Sequence, residues 1–240
     1  MSADAVTAHD DHHHAPKPKP HQWPNDAQYG TASVGKVGMW IFLLSDALMF
    51  AGFLLGYGVI RGKSDVWNCV DHLIEAGKCA ISEPVLGIPF TAILTFLLIC
   101  SSVTMVLSYA AVVEKKRKEA LMYLGLTIIG GALFLCGQMY EYFGFGLEGH
   151  GLVPLGLIWG QSHYATTFYL ITGFHGAHVF TGVTYLSIMW IRLYQGKYDD
   201  GNYDHMEIAG LFWHFVDLVW ILVFTLVYLI PLAEPLVATH

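Results

Sequence analysis

Five stretches of this chain are long and apolar enough to cross a lipid bilayer, and they leave little room for any other kind of fold. They cover residues 37–60, 85–113, 120–143, 162–190 and 208–232. A helix rises about 1.5 Å per residue, so the shortest of them reaches ~36 Å against a hydrocarbon core of ~30 Å. Inside lipid each backbone N–H and C=O must be bonded within its own segment, which makes each stretch an α-helix. Charged residues are only 13% of the chain and hydrophobic ones 55%, where a soluble domain carries about 25% charged residues. The expected fold class is therefore all-α, a polytopic membrane protein with a bundle of five transmembrane helices over residues 37–240. Ahead of it, residues 1–36 hold Asp10-Asp11-His12-His13-His14 and Pro16-Lys17-Pro18-Lys19-Pro20. Such a segment cannot bury enough apolar surface to fold, so a disordered, solvated tail is expected. It lacks the basic start and apolar core of a secretory signal.

The cations assign the two sides. Lys17, Lys19 and Lys36 in the tail, Lys115, Lys116, Arg117 and Lys118 between the second and third spans, and Arg192 and Lys197 between the fourth and fifth make nine of the twelve Lys and Arg. Arg61, Lys63 and Lys78 fall on the other side. The bias of Lys and Arg towards the cytoplasm places the N-terminus inside and the C-terminus outside. No basic cluster besides the 115–118 hinge stands out, which argues against a nucleic-acid partner. Cys69 and Cys79 then lie in an outside loop, where a disulfide is permitted. Cys100 and Cys136 lie within spans and are expected to be small buried hydrophobes.

The polar residues inside the spans carry what function the chain has. Asp46, His175, His178, His214 and Asp217 fall in one layer near mid-depth, and Glu141 and His163 form an outer-side polar pair. His175 and His178 share a helix face, as do His214 and Asp217. An aspartate at a helix centre costs roughly 2.5–3.5 kcal/mol on insertion scales, so each group needs a partner or water. One reading is a network of interhelical hydrogen bonds; the sharper readings are a proton route or a metal site. A haem held by His175 or His178 together with His214 would make the chain a membrane cytochrome, but the doubled histidine pattern of such proteins is missing. A transporter built on Asp46 and Asp217 would call for inverted repeats, and none is visible. No nucleophile–base set, phosphate loop or dinucleotide motif is present. Gly52-x3-Gly56 and the pair Gly173 and Gly176 mark expected close helix approaches.

Two phrases, Thr172-Gly173-Phe174-His175-Gly176-x-His178-Val179 and Trp213-His214-Phe215-Val216-Asp217-x-Val219-Trp220, resemble those of subunit III of the haem-copper terminal oxidases. Gly38-Met39-Trp40-x-Phe42-Leu43-x-Ser45-Asp46, Gln138-x2-Glu141-Tyr142 and Ser162 to Phe168 fit the same family, in its five-helix bacterial form. The resemblance runs from about Val34 to Tyr228. It implies an accessory subunit with no catalytic residue, haem, copper or metal site of its own, packed against catalytic subunit I and subunit II of a respiratory complex or of a larger respiratory supercomplex. That complex reduces oxygen to water and pumps protons; the accessory subunit supports proton uptake and binds phospholipid, with Arg192 at a position that contacts a headgroup phosphate. The bacterial inner membrane is the implied location. A related role, beside a nitric oxide reductase, belongs to the same class. Asp46 departs from the pattern, which has Glu after that Ser, and the two extra N-terminal helices of larger members are replaced by the polar tail.

Overall fold

The computed structural model describes residues 33–63, 74–75, 78–79, 87–144, 151–153, 157–160, 162–198 and 203–230. Five helices account for nearly all of them: α1 Val34–Arg61, α2 Ile88–Val113, α3 Arg117–Phe143, α4 His163–Tyr194 and α5 Asp204–Val223. A six-residue π-helical segment, Phe224–Leu229, continues α5. Between α1 and α2 a two-residue hairpin pairs Ile74 with Cys79 and Glu75 with Lys78. The polar tail and the Cys69–Cys79 pairing fall outside the described residues, apart from the backbone of Cys79.

Local chemistry sets the helix ends. Ser33 and Ser162 cap α1 and α4, their hydroxyls accepting from the backbone N–H of Lys36 at 3.4 Å and Ala165 at 3.0 Å. Pro89 sits in the first turn of α2, where no N–H is needed. At the end of α3, Gly144 takes a left-handed φ of 65° and donates its N–H to the Tyr140 carbonyl. The turn from α2 to α3 is only three residues long. There the N–H of Lys116 reaches the Ala111 carbonyl at 2.9 Å and that of Lys115 reaches Val112 at 3.0 Å. This double bond pattern ends a helix with a left-handed residue, usually glycine, and here the residue is Lys115 at φ 59°.

Cross-helix contacts fix the directions. Thr104 meets Thr127, and the Ser108 hydroxyl bonds to the Ala120 carbonyl, so α2 and α3 run antiparallel. The Tyr142 hydroxyl donates to Thr172, and the Trp190 indole to the Leu121 carbonyl, so α3 and α4 are antiparallel too. Trp213 bonds to Ser101 and Trp220 to Thr95, which sets α5 antiparallel to α2. Phe42 packs on Phe212, and Lys36 pairs with Asp204 and Glu207, so α1 runs parallel to α5. The result is an up-and-down bundle. The 114–116 hinge and the start of α5 lie at one end, here the hinge side, and Glu141 and Tyr228 lie near the other.

Four of the five helices (α1, α2, α3 and α5 with its extension) are long and apolar enough to cross a membrane. Helix α4 is the longest at 32 residues, about 48 Å. Its Gly, Thr, His and Tyr residues make it less apolar, and packing against α1, α3 and α5 carries it. The chain is a multi-pass membrane protein.

The centre is an indole seam. Trp213, Trp220, Phe134, Phe168 and Tyr228 are among the largest fully buried side chains. Glycines admit them: a Cβ on Gly131 would stand 2.5 Å from the Trp213 ring, and one on Gly182 would stand 3.0 Å from it. The glycines singled out from spacing are not those ones. Around Gly52, Gly56, Gly173 and Gly176 a Cβ would meet nothing within 4 Å, so they mark no close approach inside this chain. Cys100 and Cys136 also depart from expectation, being free and exposed on the outer surface of the bundle. Acyl chains are as apolar as a protein core, so lipid accepts a thiol as readily as the interior does.

Candidate functional site: the polar groups inside the bundle

The mid-depth residues separate into two places. On one side of the bundle, α1 meets α4. Asp46 is 3% exposed, and its Oδ1 lies 3.2 Å from Nε2 of His178. His178 Nδ1 lies 2.9 Å from the Phe174 carbonyl. A carbonyl can only accept, so Nδ1 carries a hydrogen. The contact between Nε2 and the carboxyl then needs one further proton, held by imidazole or carboxyl. The pair is thus a hydrogen-bonded unit of zero net charge, the form in which lipid tolerates ionisable groups at least cost. Phe50, Phe174 and Phe212 surround the ring, while Asp46 Oδ2 is buried without a hydrogen-bond partner.

On the other side, α2 meets α5. Ser102 Oγ lies 2.6 Å from Nδ1 of His214, and the same hydroxyl faces the Asp217 carboxyl. Asp217 is buried, and its Oδ1 has no partner. His175 belongs to neither group. It is fully buried, stacks on Trp220 at 4.8 Å, and meets the edges of Phe134 and Phe50. Both its ring nitrogens lack a hydrogen-bond partner. A single five-membered network is therefore not what the structure contains: α5, with its two tryptophans, stands between its halves.

The same geometry argues against a shared haem. Phe212 faces His178, and His214 follows it by two residues, about 200° round the helix. His214 therefore points away from the face that carries His175 and His178. His178 has both nitrogens engaged, and His214 one. Among the described residues no three His, Cys, Asp or Glu side chains are grouped as a metal site requires.

Towards the far end, Glu141 is buried in α3 and bonded on three sides. Thr91 donates to Oε1 at 2.8 Å, while Gln138 and Tyr228 donate to Oε2 at 3.3 and 3.2 Å. The carboxyl thus joins α2, α3 and the π-helical end of α5. The expected pairing with His163 is not made. His163 opens α4 with its side chain exposed, although the next residues, Tyr164 and Ala165, are already buried, while Glu141 turns inward. Arg192 lies at the hinge-side end of α4, half-buried beside Tyr185 and Tyr198, its Nε without a partner.

Residues that sequence reasoning passed over matter here. Thr91, Thr95, Ser101, Ser102 and Ser108 supply α2's side of these contacts. Their recurrence at helical spacing along one apolar span was the available signal. The π-helical turn that delivers Tyr228 leaves no such mark in its sequence, Phe-Thr-Leu-Val-Tyr-Leu.

Residues 28–231 match the family model described as cytochrome c oxidase subunit III. The chain belongs to that family. Among its relatives, cytochrome c oxidase subunit 3 of Thermostichus vulcanus is 34% identical over 199 residues, covering 81% of this chain and 86% of the relative. The subunit 3 of Synechocystis sp. is 32% identical over 203 residues, covering 84% and 78%. That of Corynebacterium diphtheriae is 32% identical over 194 residues, covering 81% and 87%. The protein is thus an accessory subunit of a haem-copper oxidase, working in a complex with other oxidase subunits. In a subunit III, the histidines and carboxylates mapped above need no haem to explain them.

Proposed function

We propose that this subunit III packs in the membrane against catalytic subunit I of a proton-pumping oxidase that takes electrons from cytochrome c, with subunit II in the same complex. Its part is to keep the catalytic subunit competent in proton uptake and to hold phospholipid, Arg192 supplying one headgroup contact. The N-terminus is cytoplasmic, the C-terminus lies outside, and the location is a bacterial inner membrane. The observation that best supports a supporting role is how the ionisable side chains are used. Asp46 binds His178, His214 binds Ser102, and Glu141 binds three neighbours, so these groups join helix to helix. Redox chemistry then resides in the partners.

Purification through a tag on this chain, in mild detergent, tests the reading. A large haem- and copper-containing chain, identified by mass spectrometry, should accompany it and turn over oxygen with reduced cytochrome c. Recovery of this chain with no haem-bearing partner would reject the proposal.

A further inference from the structure

The hinge between α2 and α3 borders a cavity that the polar core does not explain. Val112, Lys115, Arg117, Leu193 and Tyr198 line it, and its volume is about 230 Å³, far more than the ~10–15 Å³ that one water requires. Its floor is apolar or aromatic: Val112, Leu193 and Tyr198 are buried. The Tyr198 hydroxyl is turned to the sulfur of Met189 at 3.0 Å and is spent there. The rim is cationic. Lys115 and Arg117 are exposed, and among the described residues neither makes an ion pair. Their neighbour Lys116 differs, its ammonium lying 2.8 Å from the Glu114 carboxylate. The lysine between them is neutralised, while the two at the cavity are left with their charge.

The backbone reinforces this. Lys115 holds the left-handed position that glycine normally takes at such a helix end, so the chain keeps a lysine where a strain-free residue was available. Arg117 begins α3, whose first turn has no side-chain cap and presents its free N–H groups at the same place. Glu119, in that turn, makes no ion pair among the described residues; Asp199 and Asp200 lie outside them. The exposed faces of α2 and α3 beside the hinge are apolar, with Val113, Met122 and Leu126 exposed.

We propose that this cavity is a phospholipid site, in which Lys115 and Arg117 hold the phosphate of an anionic headgroup and the acyl chains run along the apolar faces of α2 and α3. Guanidinium forks and ammonium groups at a cytoplasmic interface are suited to that chemistry. The placement rests on the proposed orientation, in which the hinge faces the cytoplasm. The site is separate from the headgroup contact of Arg192, which does not line the cavity.

The test uses the whole oxidase complex, reconstituted in nanodiscs containing phosphatidylglycerol and phosphatidylcholine and released for native mass spectrometry. The wild-type subunit should keep one phosphatidylglycerol. The Lys115→Gln/Arg117→Gln variant should weaken that retention roughly 30-fold, the loss expected of two interfacial charges, and Lys116→Gln should not alter it. Equal retention in the double variant with an intact complex would overturn the site while leaving the subunit reading in place. A wild-type preparation that lacks the catalytic partner but keeps the lipid through Lys115 and Arg117 would do the reverse. Displacement by millimolar inorganic phosphate at matched ionic strength, with no preference for phosphatidylglycerol over phosphatidylcholine, would identify a free-anion site and overturn the lipid assignment.

Discussion

Helix α1 and the α2–α3 pair are both membrane helices of similar length, yet they are held by different means. Helices α2 and α3 meet through small residues and a tight turn. A Cβ on Gly130 would come within 2.8 Å of Ser101, and one on Gly137 within 2.5 Å of Leu94. The tryptophans of α5 then seal the seam with indole hydrogen bonds. Helix α1 touches only α4 and α5 appreciably. It buries little besides Leu43, Asp46, Phe50 and Tyr57. Its own glycines look outward. What fastens it is two polar pairs, Lys36 to Asp204 and Glu207 at one end and Asp46 to His178 at mid-depth, together with the aromatic contacts of Phe42, Phe50 and Phe53. Water drives no hydrophobic association between helices in lipid, so close packing and polar bonds are the two means available. The α2–α3 pair has both, its close glycine contacts supplemented by Thr104–Thr127 and Ser108–Ala120, whereas α1 has polar pairs and aromatic contacts without any close glycine approach.

Substitutions should separate the two. Gly131→Val places methyl groups where Trp213 and Val183 already stand. It should destabilise the assembled complex by about 3 kcal/mol, seen as a sharp drop in yield and thermal midpoint. An unchanged midpoint would show that the close seat of α3 against Trp213 and Val183 does not hold the bundle. Asp46→Leu leaves His178 Nε2 without its partner, and should cost about 1–2 kcal/mol. Much of that loss should return in the double variant Asp46→Leu/His178→Phe, so additive losses in a thermal-melt cycle would count against the pair. Lys36→Gln has the smallest expected effect, below about 1 kcal/mol, because its partners are partly solvated. The difference from wild type should fade as salt rises, and a salt-independent difference would point to packing instead.

Length and apolarity alone decide α1, α2, α3 and α5, while α4 is long but less apolar, and the observed ends of all five fall within a few residues of the expected spans. The extra turns at the starts of α1, α3 and α5 contain Lys36, Arg117, Lys118 and Asp204, residues that leave the bilayer while the helix continues. Depth was legible for the same reason. Azimuth was not: Asp46 and Asp217 sit at similar depths, but which neighbour each faces depends on helix rotation. Packing fixes that rotation, around Trp213 and Trp220 for α5 and around Phe42, Phe50 and Phe174 for α1. Gly52 and Gly56 could not be told from Gly130 and Gly131 by spacing, since all are small residues in apolar runs. Cys100 and Cys136 were misplaced because a lipid-facing surface and a buried one have the same composition.

In the proposed function the intramembrane histidines join helices rather than hold a cofactor: His178 through Asp46, His214 through Ser102, and His175 by stacking on Trp220. The direct measurement is the optical spectrum and haem content of this chain after it is separated from the purified complex. A colourless chain is expected, with all haem in the catalytic fraction. A Soret band that stays with the separated chain, and disappears in His175→Ala or His214→Ala, would show that these histidines ligate haem instead.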